Sequence, residues 1–250
     1  MYKKPTHKEG SRLSREERAA DILKHARILF CEKGYSDTLV SEIAERAGVV
    51  EGSVFHYFPT KRDLLIKTVE QWYVGLIWDY DHRLESIVGT WNRLRFMIWG
   101  HLNVVHEEPE MTNLILEEIR PGPEYRDTAI FELSRNYTRR TLDIIEEGKA
   151  SGEFRGDVPR DMIRAMIYGG VEHYAFGFLH GVGDFSPDEA ADAITDLIYR
   201  GLANEGINQA NMMREPLRQI ENGLARLKTL AENSATPAPA LVDRVKTSRK

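Results

Sequence analysis

Cysteine occurs once, at Cys31, so no internal disulfide framework can form. Its neighbours Ile28, Leu29 and Phe30 predict a buried, inert thiol, with no second cysteine in the chain to resolve a sulfenic acid. No apolar run approaches the ~20 residues that a membrane-spanning helix requires. The opening MYKKPTHKEG is charged and has no apolar stretch behind it, which is not the pattern of a secretory signal. The expected compartment is therefore the cytoplasm, with no membrane partner. Sustained two-residue alternation, the mark of a half-buried strand, is missing. So are a phosphate-binding glycine loop and a nucleophile–base pair; an enzyme is not expected, nor is a cofactor.

What remains is helical periodicity along most of a chain long enough for a sizeable core and one or two domains. Its 42% hydrophobic and 29% charged residues are those of a globular protein. The net charge of −5 is unevenly spread. Residues 1–62 carry 12 Lys and Arg against 9 Asp and Glu, while the rest carry 22 against 30. A small positive end on an acidic body makes that end the part suited to a polyanion.

Residues 1–13 read as a flexible basic arm. Ser14 and Glu17 make a capping box for a helix from Arg15 whose apolar face is Ala19, Ile22, Leu23, Ala26, Leu29 and Phe30, and which Gly34 ends. Thr38 is expected to cap a second helix that buries Val40, Ile43, Ala44 and Ala47. A third helix is expected from about Glu51 to Tyr57. Pro59 separates it from a fourth, capped by Thr60 and reaching roughly His82. Two short amphipathic helices around a tight Gly48-Val49-Val50 turn are the pattern of a helix-turn-helix, whose second helix enters the DNA major groove. The residue types suit it. Ala44 is small at the helix crossing, Gly48 permits a positive φ, Val49 plugs the inter-helix core, and Phe58 closes it.

With the preceding RAADILKHARILFCEKGY, the segment TLVSEIAERAGVVEGSVFHYFPTKRDLL resembles the TetR family of bacterial transcriptional regulators over about residues 14–72. The matching positions are Thr38, Ile43, Ala44, Ala47, Gly48, Val49, Gly52, Tyr57, Phe58, Lys61 and Leu64. The resemblance implies an all-α homodimer with a three-helix DNA-binding head and a helical ligand-binding and dimerisation body. It also implies double-stranded DNA with a palindromic operator as partner. Thr38, Tyr57 and Lys61 are then the phosphate contacts, and Glu51, Gly52, Ser53, Val54 and His56 lie on the reading helix, with Val54 suited to a thymine methyl. Two positions depart from the family pattern. Val50 replaces the usual capping Ser, and Phe55 replaces a common Tyr.

These readings divide the chain into the arm, a head at 14–60, an effector-binding and dimerisation body at 61–205, an additional helix at 206–232 and a disordered tail at 233–250. In the body, helices are expected near 88–106, 109–119, 124–151, 159–182 and 187–204, with breaks at Glu-Pro, Pro-Gly-Pro, Ser-Gly, Val-Pro and Gly-Val-Gly-Asp. Most body aromatics read as core. The sharper alternative, as in the family, is an apolar effector pocket, with Trp99, Arg120, Tyr137, Tyr168, Glu172, His173 and Phe176 as candidates. Glu172 and His173 serve equally as interface contacts. Gly169, Gly170 and Gly177 each cost about 1 kcal/mol on a helix, which close helix–helix approach would justify. This places their helix and 187–204 at a dimer interface, as the family has it.

Residues 115–155 loosely resemble the regulatory half of TetR-type repressors of fatty-acid degradation, which implies an acyl-CoA effector. Arg120, Arg139 or Arg140 would meet its phosphates. Their competing reading is surface pairing with Glu117, Glu118 or Asp143. A different hydrophobic or aromatic effector is an alternative. A metal-responsive sensor is another, but His101/His106 and His173/His180 lack the i, i+4 spacing of helical ligand pairs. The resemblance implies repression, with the effector releasing the operator by shifting the dimer away from a half-site spacing of roughly 34 Å.

Overall fold

Ser14 starts the first helix as its spacing to Glu17 requires. Its Oγ accepts from the Glu17 N–H at 3.1 Å, and its own N–H donates to the Glu17 carboxylate at 2.7 Å. The computed structural model describes residues 14–204. The arm at 1–13, the helix expected at 206–232 and the tail at 233–250 lie outside the described residues.

Helix α1 (Arg15–Asp37) turns Ile22, Ala26, Leu29 and Phe30 inward. Its helical geometry breaks at Gly34, where φ is +78°. Helix α2 (Val40–Arg46) buries Val40, Ile43 and Ala44, and α3 (Glu51–Tyr57) follows. Gly48 takes a φ of +64° in the turn between them, which a residue with a Cβ adopts only under strain. The turn then closes with a 2.9 Å bond from the Val49 N–H to the Ala44 carbonyl.

The capping residue of α2 is Leu39 and not Thr38. The Thr38 hydroxyl points the other way and donates to the Leu29 and Gly34 carbonyls, at 3.1 and 2.7 Å. Both carbonyls belong to the last turns of α1, so the hydroxyl serves the end of α1 and not the start of α2.

Helix α4 (Lys61–Leu84) is capped by Thr60, whose Oγ1 accepts from the Asp63 N–H. It is shared by head and body, packing on α1 at one end and on α7 (Ala129–Ala150) at the other. The described residues up to Leu202 accordingly belong to one compact unit. The body is completed by α5 (Thr90–Glu107), α6 (Pro109–Asn113), α8 (Arg160–Arg164), α9 (Gly170–Tyr174), α10 (Phe176–Leu179) and α11 (Pro187–Leu202), with α5 and α11 in extensive contact. No helix among the described residues is long and apolar enough to cross a membrane.

Three body segments depart from the sequence expectation. The 124–151 segment begins with a 3-10 turn at Tyr125–Asp127 and restarts at Ala129, where Thr128 supplies the cap. The 109–119 segment widens into π geometry at Leu114–Ile119. The 159–182 segment does the same at Ala165–Gly169 and is interrupted again at Ala175. A π turn adds a residue to the repeat and rotates every later side chain about the axis. Apolar periodicity alone does not reveal it.

Inside the chain no neighbour approaches Gly169 or Gly170, since a Cβ on either would meet nothing within 4 Å. Of these three glycines, Gly177 alone has a close neighbour, its added Cβ standing 3.0 Å from the Val182 carbonyl in the following turn. The two glycines lie instead on an exposed face with Met162, Met166, His173 and Tyr174.

Candidate DNA-binding head and effector cavity

The head core is built by one side of α3. Val54 is 1% exposed, and Phe58 closes the same cluster together with Ile43, Ala44 and Ala47. Val54 therefore packs inward against α1 and α2 and presents nothing to a thymine methyl, which corrects its expected role. Thr38 is corrected likewise. It is fully buried, with its hydroxyl committed to backbone carbonyls, so its side chain is not a phosphate contact.

The outer side of α3 carries Glu51, Gly52 and His56, with Ser53 half-buried. Phe55 joins them at 40% exposure, four residues and therefore one turn after Glu51. Its exposure is visible only once Val54 is known to face inward. Val50 is 73% exposed and contributes no side-chain cap, while the Ser53 N–H finds the Val50 carbonyl at 2.8 Å. Tyr57 is half-buried, with the Arg15 guanidinium 5.9 Å from its ring centre. Lys61 Nζ lies 4.6 Å from the Tyr35 ring centre and donates to the Ser36 carbonyl at 3.1 Å. Glu51, Gly52, Ser53, His56, Tyr57 and Lys61 thus keep at least partial exposure.

The body holds a cavity of about 540 Å³, within the range of small-molecule sites. Trp72, Tyr73 and Leu76 of α4 and His101, Val104 and Val105 of α5 line it. Ile115, Leu116 and Arg120 come from the first π turn and its end, and Phe131 and Tyr137 come from α7. Ala165, Tyr168, Gly169 and Glu172 come from the second π turn and α9. Both widened turns therefore form cavity wall, where their extra residue makes room. Arg126, Arg135 and Arg164 also line it, the first two exposed, and so give the cavity a cationic rim.

Within the cavity, Arg120 Nη1 donates to Glu172 at 2.7 Å. Burial works against the guanidinium's charge, but Glu172 outweighs it and raises the Arg120 pKa above its ordinary value. Burial also pushes the Tyr73 hydroxyl up to about 12, against the nearby Arg120 charge. His101 is half-buried with its Nε2 enclosed, and it is held neutral, desolvation lowering its pKa to about 3 and the Arg120 charge adding to the effect. Its ring meets Tyr168 edge-on at 4.9 Å, and its Nδ1 lies 3.5 Å from the Tyr137 hydroxyl.

Of the seven candidate pocket residues, the cavity gathers Arg120, Tyr137, Tyr168 and Glu172. Trp99 lies elsewhere, stacked on Phe96 with the Arg83 guanidinium 5.2 Å from its ring centre. His173 is exposed, because one helical residue after Glu172 turns a side chain about 100° away. Phe176 would share the Glu172 face on an unbroken helix. The interruption at Ala175 rotates it out to 57% exposure, where it stacks on His180 at 4.2 Å. His101, Tyr73 and the three rim arginines were not legible as a site, since they come from separate elements.

Neither Arg120 nor Arg140 takes a partner expected from helical spacing. Arg140 lies outside the cavity and grips Asp81 with two bonds of 2.6 and 2.7 Å. Asp143 pairs with Arg160. Among the described residues no three His, Cys, Asp or Glu side chains converge to hold a metal ion. Cys31 is half-buried, its thiol pushed up to about 11 by burial, which keeps it protonated and unreactive.

Two family models match the chain and together span more than half of it. The one described as bacterial regulatory proteins, tetR family, covers residues 22–68, and the one described as tetracyclin repressor-like, C-terminal domain, covers 89–202. The fatty acid metabolism regulator protein of Bacillus subtilis (strain 168) is 22% identical over 184 residues, covering 74% of this chain and 95% of the relative. The HTH-type transcriptional repressor KstR2 of Mycobacterium tuberculosis is also 22% identical, over 195 residues, 76% of this chain and 95% of the relative. A crystal structure of the transcriptional regulator FadR from Bacillus subtilis in complex with stearoyl-CoA superimposes with a TM-score of 0.65. Identity there is 23%, with 73% of this chain and 98% of that chain covered.

Proposed function

Since the chain belongs to the TetR family of bacterial regulatory proteins, a family of DNA-binding transcriptional regulators and not of enzymes, we propose that it represses from a palindromic operator as a homodimer and is released by a small apolar effector with an anionic end, an acyl-CoA thioester. The observation that carries the effector reading is the cavity. An interior of aromatic and aliphatic side chains suits a hydrocarbon chain, and Arg126, Arg135 and Arg164 at the rim suit phosphates. A relative of this fold is recorded with stearoyl-CoA, which supports the same class.

In the head, Glu51, Gly52, Ser53 and His56 read bases while Tyr57 and Lys61 hold phosphates. Phe55 adds an apolar surface suited to thymine methyls. The exposed face of Met162, Met166, Gly169, Gly170 and His173, together with α11, is the dimer contact in this reading. Two glycines there let a second copy approach closely. An effector that favours a head spacing other than one DNA turn then lowers operator affinity.

The test is selection of fragments of the source genome on the full chain at physiological salt, with Tyr57→Ala as control, followed by acyl-CoA titration of the selected complex. Enrichment of palindromic sites by the unaltered protein only, and their release by long-chain thioesters, is expected. Equal enrichment by Tyr57→Ala would remove the phosphate role. Release by steroids with no response to any thioester would move the effector to the steroid class, since the similar KstR2 of Mycobacterium tuberculosis is a ketosteroid transcriptional regulator.

A further inference from the structure

Trp72 and Leu76 of α4 line the effector cavity on one side and a second hollow on the other. That hollow is a groove of about 850 Å³ between α1 and α4. Both residues are half-buried, so at this point one layer of side chains separates the two spaces. None of the three rim arginines lines the groove, so the shared wall is not the cationic side of the cavity. Ala20 and Leu23 of α1 and Gly75 of α4 give the groove apolar surface. A Cβ on Gly75 would meet nothing within 4 Å, so the groove is open on its α4 side. The Trp72 Nε1–H donates to the Glu108 carboxylate at 3.0 Å, and the same carboxylate pairs with Arg27 of α1. The indole thus closes the cavity toward the groove and also ties α4 to α1 through Glu108.

We propose that Trp72 measures the length of the effector's hydrocarbon chain. A chain that fits within the cavity leaves the indole in place. A longer one, anchored at its anionic end by the rim arginines, pushes the indole aside and lays its last methylenes in the groove over Gly75. The displacement breaks the Trp72–Glu108 bond, so extra chain length is converted into a loosened contact between α4 and α1. The groove's occupant is the far end of the effector and not its charged end. Its apolar surface suits methylenes, and its acidic Glu17, Asp21 and Glu108 outnumber the basic Lys24 and Arg27, which disfavours an anion there. The assignment rests on the effector reading above and adds to it which chain lengths act.

Calorimetric titration of the full chain with octanoyl-, dodecanoyl-, hexadecanoyl- and eicosanoyl-CoA tests it, with Gly75→Leu as the variant. Gly75 lines the groove and not the cavity, and leucine is the better helix former, so the fold is kept. Each methylene that leaves water is expected to tighten binding about fourfold. In Gly75→Leu that gain is expected to stop once the cavity is full. Eicosanoyl-CoA then binds it about tenfold or more weakly than it binds the unaltered chain, while octanoyl-CoA binds both equally. At saturation, octanoyl-CoA is expected to leave the selected operator bound and eicosanoyl-CoA to release it. A direct readout in the unaltered chain is the 19F resonance of Trp72 after labelling with 5-fluorotryptophan, assigned by its loss in Trp72→Phe. It is expected to move when eicosanoyl-CoA binds. A Trp72 resonance that stays in place with eicosanoyl-CoA bound, or an unchanged affinity of Gly75→Leu for that thioester, overturns the proposal. If all four thioesters bind and release operator alike, this inference fails and the effector reading stands. If none of the four binds, both fail together.

Discussion

The buried Thr38 hydroxyl donates to two carbonyls near the end of α1. Thr38→Val keeps the shape and removes the donor, so denaturant unfolding should show a loss of about 1–3 kcal/mol. The salt dependence of operator binding should not change, because no phosphate contact is lost. The neighbours Val54 and Phe55 should separate in the same way. Val54→Ala opens the head core and should cost about 1–3 kcal/mol with base preference intact at low temperature. Phe55→Ala should leave the melting temperature within a degree or two and shift the selected operator sequences. A Val54→Ala protein of unaltered stability would contradict its inward packing. His101 adds a pH dependence. Its folded-state pKa is lowered to about 3 by burial, so between the ordinary value near 6.5 and about 3 the unfolded chain binds a proton that the folded chain refuses. Its contribution to stability is complete above pH 6.5 and is lost as pH falls below it. The unfolding midpoint should drop less steeply from pH 6.5 to 4 in His101→Gln than in the unaltered chain.

Two elements link the cavity to the head. Arg62, in the first turn of α4, donates to the Glu118 carbonyl at 2.7 Å and to the Glu124 carboxylate at 2.8 Å. Arg120 in the cavity wall stands two residues beyond Glu118, at the end of the same π turn. Glu108, between α5 and α6, accepts from Trp72 Nε1 at 3.0 Å and pairs with Arg27 of α1. In the proposed mechanism these bonds are what would pass a movement of the wall to α1 and α4. Arg62→Ala should leave effector affinity nearly unchanged by calorimetry while weakening the effector's release of operator in fluorescence anisotropy. Equal release in the variant would show that this tie transmits nothing. The periodicity that located α1, α4, α5, α7 and α11 is a local property, set by side chains three and four residues apart. The π turns are not local in this sense. Nor is the interruption at Ala175, which turns Phe176 away from the site to which continuous periodicity assigns it.

Along the sequence a basic N-terminal stretch precedes an acidic remainder, and the described body carries an exposed apolar face. Met166 is 62% exposed and Met162 56%, each one residue before the buried Ile167 and Ile163 and so turned away from the core. In the proposed dimer this face is covered. Met166→Glu should then give a monomer in sedimentation velocity and lose the palindromic site while keeping its helical circular dichroism. A Met166→Glu protein that remains dimeric would place the contact elsewhere.

The helix-turn-helix was determined by the chain alone. The Ser14 and Thr60 caps of the flanking helices, the Gly48 turn and the inward spacing of Ile43, Ala44 and Ala47 are short-range constraints that each residue states for itself. The all-α class followed from the same local periodicity. Which side of α3 faces outward, and therefore that Phe55 and not Val54 is exposed, was decided by packing on α1 and α2. The cavity belonged entirely to the tertiary structure. His101, Arg120, Tyr137 and Glu172 lie far apart in sequence on four elements, and each alone is compatible with an ordinary core or surface position. They acquire a common chemistry only when α4, α5, α7 and the two π turns enclose a space too large for side chains to fill, leaving a buried imidazole nitrogen with nothing of its own chain to bond.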